Sequence, residues 1–193
     1  MPANSFESAY LGTPPPWDIG RPQPAIVRLA ETSQITGSVL DVGCGTGENV
    51  LYLAERGFAA SGVDGAPTAI KKAQAKAKRR GLKASFEVGD ALDLSVPGRP
   101  YDTVIDSGLF HVFSDQDRTR FAESIRRVIR LGGVYFLMCF SDQQPGDWGP
   151  RRVTQAEIRS VFSDGWRVDQ IQPSAFETNE GHAHAWLASI SRL

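Results

Sequence analysis

Three glycines stand at alternate positions in the segment VLDVGCGTGEN (39–49): Gly43, Gly45 and Gly47. They follow a short β-rich run and precede an amphipathic segment, so the pattern predicts a turn between a strand and a helix. A glycine backbone turns tightly and lets a ligand approach without a Cβ atom in the way. The segment therefore predicts a ligand-binding loop.

Acidic residues lie at or near the ends of three successive predicted strands: Asp41, Asp64 and Asp90. Asp64 follows Gly47 by 17 positions, where an acidic group can bind the two hydroxyls of a ribose. Three carboxylates around one crevice would repel a pyrophosphate, and they suit a cationic cofactor that carries a ribose and an adenine. Alternatively, Asp41 holds the glycine loop by accepting hydrogen bonds from backbone N–H groups.

The spacing of the glycines separates this loop from two other nucleotide-binding loops. The dinucleotide fingerprint G-x-G-x-x-G/A would place its third small residue at position 48, which is Glu48. The loop also lacks the G-K-[ST] ending of a phosphate-binding P-loop. The sequence thus disfavours a nicotinamide-dependent oxidoreductase and a P-loop enzyme.

Short apolar runs alternate with amphipathic segments along the chain. Helices are predicted at 24–33, 48–57, 67–81, 115–133 and 154–164, and strands at 38–43, 59–64, 84–90, 101–108, 133–141, 166–172 and 182–193. The alternation predicts an α/β fold, a three-layer Rossmann-like sandwich around a mostly parallel seven-stranded sheet. The last two strands have no helix between them, which predicts an antiparallel C-terminal hairpin. We expect a single domain over residues 1–193.

Composition excludes several functional classes. The net charge of −1 lacks the basic footprint of a nucleic-acid binder. The sequence shows no apolar run of the roughly 18 residues that span a bilayer and no signal-peptide pattern at its start. Two cysteines without paired spacing fit a reduced cytoplasmic protein. We also expect a monomer or a weak homodimer. His182 and His184 have no carboxylate or cysteine at ligand spacing, so no metal is expected.

With these motifs the chain resembles the class I S-adenosylmethionine-dependent methyltransferases. The resemblance implies that 40–47 lies against the methionine and ribose of the cofactor, that Asp64 holds the ribose hydroxyls, and that Asp90 and Ala91 meet the adenine. It also implies that Asp106 to Leu109 face the methionine portion and the methyl-acceptor pocket. The implied cofactor residues are Asp41, Gly43, Gly45, Gly47, Asp64, Gly65, Asp90, Ala91, Asp106 and Ser107.

Three further segments are similar to the thiopurine methyltransferase-like subgroup, above all to bacterial methyltransferases of heterocyclic toxins: PPWDIGRPQP (15–24), 106–118 and 139–154. The resemblance implies that an N-terminal lid, about residues 10–24, folds over the cofactor with Trp17 near the sulfonium. A sulfonium cation favours an aromatic face, and a lid excludes water. Arg21 either binds an anion or forms a salt bridge with Asp18.

The acceptor pocket is expected beside the fourth and fifth strands, under a second lid at 141–154. Its predicted substrate-binding residues are Leu109, Phe110, Trp148, Arg151 and Arg152. Alternatively, Leu109 and Phe110 belong to the core, and the two arginines face solvent or bond their own loop. His111 is the predicted general base, because its unperturbed pKa suits proton transfer near neutrality; alternatively, it is packed inside the wall.

These expectations predict an S-adenosylmethionine-dependent methyltransferase that acts on the O, N or S of a small aromatic or heterocyclic molecule, in detoxification or secondary metabolism. Within the class, the alternative is a halide or thiol methyltransferase. A non-catalytic S-adenosylmethionine-binding protein is the alternative of another class, and two lids rich in aromatic and basic residues argue against it.

Overall fold

The computed structural model describes residues 3–95 and 100–193, with the side chains of residues 3–5 left aside. Its strands are β1 (Ser38–Val42), β2 (Ala59–Asp64), β3 (Ser85–Val88), β4 (Tyr101–Ser107), β5 (Ile129–Phe140), β6 (Trp166–Thr178) and β7 (Gly181–Arg192). Its helices are α1 (Ala3–Ala9), α2 (Pro24–Glu31), α3 (Glu48–Glu55), α4 (Pro67–Arg80), α5 (Asp115–Val128) and α6 (Gln155–Val161). None of these helices is long and apolar enough to cross a bilayer.

The strands form one seven-stranded sheet in the order β3-β2-β1-β4-β5-β7-β6. Strands β1 to β5 run parallel, and β7 is antiparallel to both β5 and β6. The predicted fold class is therefore confirmed. Because the chain leaves β1 towards β2 on one side and β4 lies on the other, the loops after β1 and β4 diverge and open a crevice at the carboxyl edge.

Both faces of the sheet are covered by apolar packing. On β5, Phe136 and Met138 belong to one buried cluster, whereas Tyr135 and Leu137 belong to the other. Successive side chains of a strand point to opposite faces, so a central strand in a three-layer sandwich needs apolar residues at every position. This need explains the continuous apolar run that marks β5 in the sequence.

Two predicted boundaries differ most from the structure: β6 continues to Thr178 rather than ending at 172, and helix α5 ends at Val128, so that residues 129–132 are strand rather than helix. Ile129 is completely buried and pairs with Tyr101, after which the β4–β5 register jumps to Thr103 and Val134. The helical periodicity of this segment is therefore overridden by a strand pairing with residues far away in the chain.

Helix α1 was not predicted, and it completes the N-terminus of α4. The residue before α4 is Ala66, whose side chain cannot cap a helix. Instead, the Glu7 carboxylate accepts hydrogen bonds from Thr68 N at 3.0 Å and from Thr68 Oγ1 at 2.5 Å. A carboxylate at this end also complements the helix dipole. The contact fixes the start of the N-terminal segment to the body of the protein.

Candidate active site

A cavity of about 1100 Å³ opens where β1, β2 and β4 end. Among the expected cofactor residues, those that line it are Trp17, Gly43, Gly45, Gly47, Asp64, Gly65, Asp90, Ala91 and Ser107, whereas Asp41 and Asp106 do not. Among the expected substrate residues, Leu109 and Trp148 line it, whereas Phe110, Arg151 and Arg152 do not. His111 also lines the cavity.

The glycine loop needs glycine for its backbone and for its neighbours. Gly43, Gly45 and Gly47 have φ angles of 76°, 54° and 85°, which side chains rarely adopt. A Cβ atom at Gly47 would lie 2.6 Å from the Phe86 ring, and one at Gly45 would lie 2.9 Å from Tyr10 Oη. The loop therefore passes closely between a strand of the sheet and the N-terminal segment.

Asp64 fixes the loop from the end of β2. Its Oδ2 atom accepts a hydrogen bond from Gly45 N, and its Oδ1 atom accepts one from Ala66 N, both at 2.8 Å. Burial raises the pKa of this carboxyl, and the two backbone hydrogen bonds oppose that shift. Each oxygen keeps a further lone pair, so the carboxylate can still accept hydroxyl groups of a ligand.

Asp90 and Ala91 lie on the next strand end. Asp90 is exposed and caps the short 3₁₀ turn Ala91–Asp93, since its Oδ1 atom accepts a hydrogen bond from Leu92 N at 2.9 Å. The turn places Ala91 and Leu92 along the cavity wall. An acceptor beside an apolar surface suits the amino group and ring of a purine.

Asp41 and Asp106 lie beneath the site rather than in it, unlike the sequence expectation. Asp41 receives one hydrogen bond, from Asn49 Nδ2 at 3.4 Å, and its Oδ1 atom has no partner among the described residues. Burial raises its pKa to about 8, and the nearby charges of Asp106 and Asp64 add to the shift. The expected bonds from Asp41 to the glycine loop are not made; it meets the start of α3 instead.

Asp106 shapes the loop that follows β4. It is completely buried, and its oxygens accept hydrogen bonds from Leu109 N at 2.7 Å, Phe110 N at 2.9 Å and Tyr135 Oη at 3.1 Å. Burial raises its pKa to about 7. Asp106 thus holds the backbone turn that presents His111 to the cavity, and it has no contact with the cavity itself.

His111 stands against an aromatic wall, which we define as Phe140, Trp148 and Phe176. The imidazole meets Phe140 edge-on at 5.1 Å between ring centroids and lies 6.1 Å from Phe176. Its Nδ1 atom accepts a hydrogen bond from Phe140 N at 3.0 Å. Burial lowers its pKa to about 3, and the positive charges of Arg118 and Arg152 lower it further.

Three residues expected around the acceptor do not line the cavity: Phe110, Arg151 and Arg152. Phe110 is fully buried and packs against Phe121 and Phe162, as in the core alternative. Arg151 pairs with Asp115 and Glu157. Arg152 donates to carbonyls of its own β5–α6 loop (141–154), those of Gln144, Gly146, Trp148 and Pro150. The two arginines therefore shape the loop that brings Trp148 onto Phe140, 5.7 Å between centroids.

The N-terminal arm, residues 10–24, crosses the cavity from the other side. Trp17 Nε1 donates to Tyr10 Oη at 3.0 Å, and Thr46 Oγ1 in the glycine loop donates to Asp18 at 2.8 Å. Arg21 pairs with Glu177 rather than with Asp18, so the expected salt bridge within the arm is not made. The arm is thus bonded both to the glycine loop and to strand β6.

Several lining residues were not among the predicted site residues, and they include Tyr10, Phe140 and Phe176. Phe140 carried a usable signal, because it ends β5 at the same edge as the predicted cofactor loops. Tyr10 is brought to Gly45 by the arm, and Phe176 comes from an antiparallel strand. Neither had a local pattern that could place it in the site.

The lining fits S-adenosylmethionine. Asp64 offers free lone pairs for ribose hydroxyls beside the glycine loop, and the carboxylates of Asp64 and Asp90 suit a cation. Trp17 and the aromatic wall offer ring faces to a sulfonium. Ligand pockets commonly hold roughly 300–1,000 Å³, so a cavity of about 1100 Å³ has room for the cofactor together with a small acceptor.

Comparison with known proteins agrees with this site. Residues 39–133 match the family model of a methyltransferase domain. A 2-heptyl-1-hydroxyquinolin-4(1H)-one methyltransferase of Mycobacteroides abscessus is 40% identical over 184 residues, which cover 90% of this chain and 81% of that protein. A probable thiol methyltransferase of Arabidopsis thaliana is 25% identical over 83% of this chain and 72% of that protein.

A solved structure shows the same fold over the full length. It comes from work on the conversion of a disulfide bond into a thioacetal group during echinomycin biosynthesis, and it superposes with a TM-score of 0.91. The two sequences are 37% identical, and the match covers 100% of this chain and 92% of that chain. With the glycine loop, the acidic strand ends and these relatives in agreement, the chain belongs to the S-adenosylmethionine-dependent methyltransferases.

Proposed function

We propose that this methyltransferase acts on a flat aromatic or heterocyclic small molecule and methylates an oxygen, nitrogen or sulfur atom on it. The observation that carries the proposal is the aromatic wall beside the glycine loop, with His111 as its polar group. Flat rings stack well on such surfaces. The 40% identity to a protein named for methylation of a hydroxyquinolone supports this acceptor class.

The residues of the chain divide the work. When bound, the cofactor supplies an activated methyl group on a sulfonium. Asp64, Asp90 and the glycine loop bind and orient the nucleoside and amino-acid portions. The aromatic wall and Leu109 hold the acceptor ring in line with that methyl group, which is the larger part of the catalytic task in such a displacement. Asp106 acts by positioning the 109–111 turn.

Two segments close the site in this proposal. The N-terminal arm covers the cofactor with Trp17, and the β5–α6 loop covers the acceptor with Trp148. Trp17 and Trp148 are 40% and 48% exposed, so both retain free surface at the mouth of the cavity that a bound ligand would cover. Closure excludes water, which would otherwise solvate the nucleophile.

The cofactor site is tested by titrating the protein calorimetrically with S-adenosylhomocysteine. We expect Asp64→Asn to bind this product roughly tenfold or more weakly, since hydrogen bonds from hydroxyls to a carboxylate are lost. Asp93→Asn removes the same charge from a carboxylate that is 77% exposed beside the site, and its affinity should be unchanged. Absence of binding to the unaltered protein would overturn the assignment of the cavity.

The acceptor class is tested by turnover of matched panels. Hydroxyquinolines and phenols represent the proposed class, whereas aliphatic thiols and iodide represent the second candidate, a thiol or halide methyltransferase. The match to a probable plant thiol methyltransferase favours including that candidate. A flat ring should lose turnover when Trp148→Ala removes part of the aromatic wall, whereas iodide should not. Turnover of iodide and thiols without turnover of any aromatic acceptor would favour the second candidate.

A further inference from the structure

We propose that His111 is a hydrogen-bond donor to an anionic acceptor, through Nε2–H, and that the enzyme therefore selects aromatic acceptors already ionised at their reacting oxygen or sulfur. The inference rests on the proposed function and names the form in which its substrate binds. It replaces the general base that the sequence led us to expect.

The hydrogen bond from Phe140 N decides the protonation of the ring. A backbone N–H can only donate, so the Nδ1 atom that receives it at 3.0 Å carries no proton. A neutral imidazole has one proton, which must then lie on Nε2. A base working through Nε2 needs a free lone pair there, and this tautomer has none.

The second ring nitrogen, Nε2, belongs to a side chain that lines the cavity, and it has no hydrogen-bond partner among the residues that the structure describes. Nε2 is also not one of the fully enclosed polar atoms that lack a partner, so part of its surface is accessible. The neighbouring rings of Phe140 and Phe176 offer no acceptor to this proton. A bound ligand is therefore the natural partner of the Nε2–H group.

The surroundings oppose a positively charged ring. His111 is 5% exposed, and the charged groups that act on it are Arg118 and Arg152, both positive. The pKa of about 3 agrees with a ring that stays neutral as the acceptor binds. Arg118 is paired with Glu157, whereas Arg152 bonds only carbonyl oxygens among the described residues, so Arg152 favours a negative charge on a ligand at this position.

An ionised acceptor makes proton transfer to the protein unnecessary. The acceptor leaves its proton in solvent before binding, and its own lone pair forms the new bond to the methyl carbon. The electron pair of the broken carbon–sulfur bond stays on sulfur, which becomes the neutral thioether of the product. Donation from Nε2–H orients the reacting atom, and it also holds that atom in its anionic form.

Two substitutions separate the donor role from the packing role. In His111→Gln the side-chain amide reaches the position of Nε2 and can donate there, but the partner of Phe140 N is lost. In His111→Asn the amide oxygen can accept from Phe140 N, but nothing reaches the position of Nε2. The two variants thus keep opposite halves of the imidazole.

The first experiment measures binding without turnover. 4-Nitrophenol is titrated into the protein saturated with S-adenosylhomocysteine, and its visible absorbance reports the ionised fraction at each pH. We expect the bound pKa of 4-nitrophenol to lie about one unit or more below its free value, since hydrogen bonds to charged groups change affinity roughly tenfold or more. His111→Gln should keep this shift and His111→Asn should lose it, although His111→Asn should be the more heat-stable of the two.

The second experiment reads the ring directly in the protein without ligand. Nitrogen-15 spectra of labelled histidine should show His111 with a protonated Nε2 and an unprotonated Nδ1 between pH 5 and 9, and His111→Gln identifies its signals. The exposed His182 and His184 serve as internal references. This measurement does not depend on whether 4-nitrophenol binds.

The outcomes decide between three roles. A protonated Nδ1, or titration of the ring near neutrality, overturns the proposal and restores the general base. A bound-ligand shift that survives in His111→Asn and disappears in His111→Gln, or one absent from the unaltered protein although 4-nitrophenol binds, assigns His111 to packing alone. Failure of the proposed function is distinguishable, because 4-nitrophenol would then not bind and only iodide or aliphatic thiols would be turned over, while the ring keeps its tautomer.

Discussion

At the residue scale, two of the carboxylates beneath the cavity are unusual because burial, and not a ligand, dominates their environment. Asp41 is 1% exposed and Asp106 is completely buried, and neither has a cationic partner within residues 3–95 and 100–193. Asp106 is compensated by three hydrogen bonds, whereas Asp41 has one long one. Asp41 therefore favours its protonated form in the folded protein, with a pKa of about 8.

This shift makes stability depend on pH with a definite sign. The folded-state pKa of about 8 lies above the unfolded value near 3.8, so the unfolded protein binds fewer protons over this range and stability falls as pH rises. Asp41→Asn cannot titrate at this position, so we expect its stability to lack this decrease. Its free energy of unfolding, relative to that of the unaltered protein, should therefore rise with pH by up to about 1.4 kcal/mol per pH unit between pH 5 and 8. Urea denaturation at several pH values measures it.

The control for this prediction is Asp164→Asn, which removes an exposed carboxylate and should leave the pH dependence as in the unaltered protein. Asp106 is present in all three proteins and titrates in each, and in Asp41→Asn it no longer faces the charge of Asp41. Parallel stability curves for Asp41→Asn and the unaltered protein would show that Asp41 is ionised in the fold despite its burial.

At the element scale, the turn from β1 into α3 needs glycine for close packing as well as for backbone conformation. Gly47 and Gly57 flank the same helix and share a φ of 85°. A Cβ atom at Gly47 would meet the Phe86 ring at 2.6 Å and Ala73 Cβ at 2.9 Å, whereas one at Gly57 would meet nothing within 4 Å. The two glycines thus differ in packing and not in backbone strain.

Alanine at these two positions should therefore separate strain from packing. Gly57→Ala is expected to cost about 1–2 kcal/mol, the penalty of a left-handed residue with a side chain. Gly47→Ala should cost about 1–3 kcal/mol more through overpacking, and it should also weaken S-adenosylhomocysteine binding because the loop must shift. Denaturant unfolding and calorimetry measure the two effects. Equal costs for the two substitutions would mean that Phe86 moves away freely.

At the scale of the whole molecule, the site is closed by contacts between distant parts of the chain. Asn179, in the turn between β6 and β7, donates through Nδ2 to Asp18 O at 3.0 Å and to Pro15 O at 3.4 Å. Its backbone N–H donates to Pro16 O at 2.8 Å. Gln23 adds a reciprocal pair of bonds with the backbone of Glu177. The C-terminal hairpin therefore holds the N-terminal arm over the cavity.

Asn179→Ala should loosen the arm without unfolding the protein. We expect faster proteolytic cleavage within residues 10–24 and severalfold weaker S-adenosylhomocysteine binding, because two hydrogen bonds of roughly 0.5–1.5 kcal/mol each are removed. The melting temperature should change little, and S-adenosylhomocysteine should slow the cleavage. Gln170→Ala, which removes an exposed amide on strand β6, is the control. Unchanged cleavage would show that the backbone bond to Pro16 is sufficient.

The strands, the glycine loop and the helix cap of this protein were predictable from short stretches of its sequence. Alternating apolar runs predicted the seven-stranded sheet, and the spacing of Gly43, Gly45 and Gly47 with Asp64 and Asp90 placed the cofactor edge. Thr154 and Glu157 form a capping box at the start of α6, which depends on their spacing of three residues. These features are readable because each depends on backbone conformation, side-chain periodicity or a short spacing, which are properties of neighbouring residues.

Features that depend on residues far apart in the chain became visible only in the folded protein. The end of α5 is set by pairing of Ile129 with Tyr101, and the roles of Arg151 and Arg152 are set by partners in the β5–α6 loop and nearby helices. His111 follows strand β4 at the edge that the sequence predicted for the site. The position of its ring proton is set by the hydrogen bond from Phe140 N, 29 residues away. Sequence reveals the type of a titratable group, whereas its burial and hydrogen-bond partners determine which of its two nitrogens holds the proton.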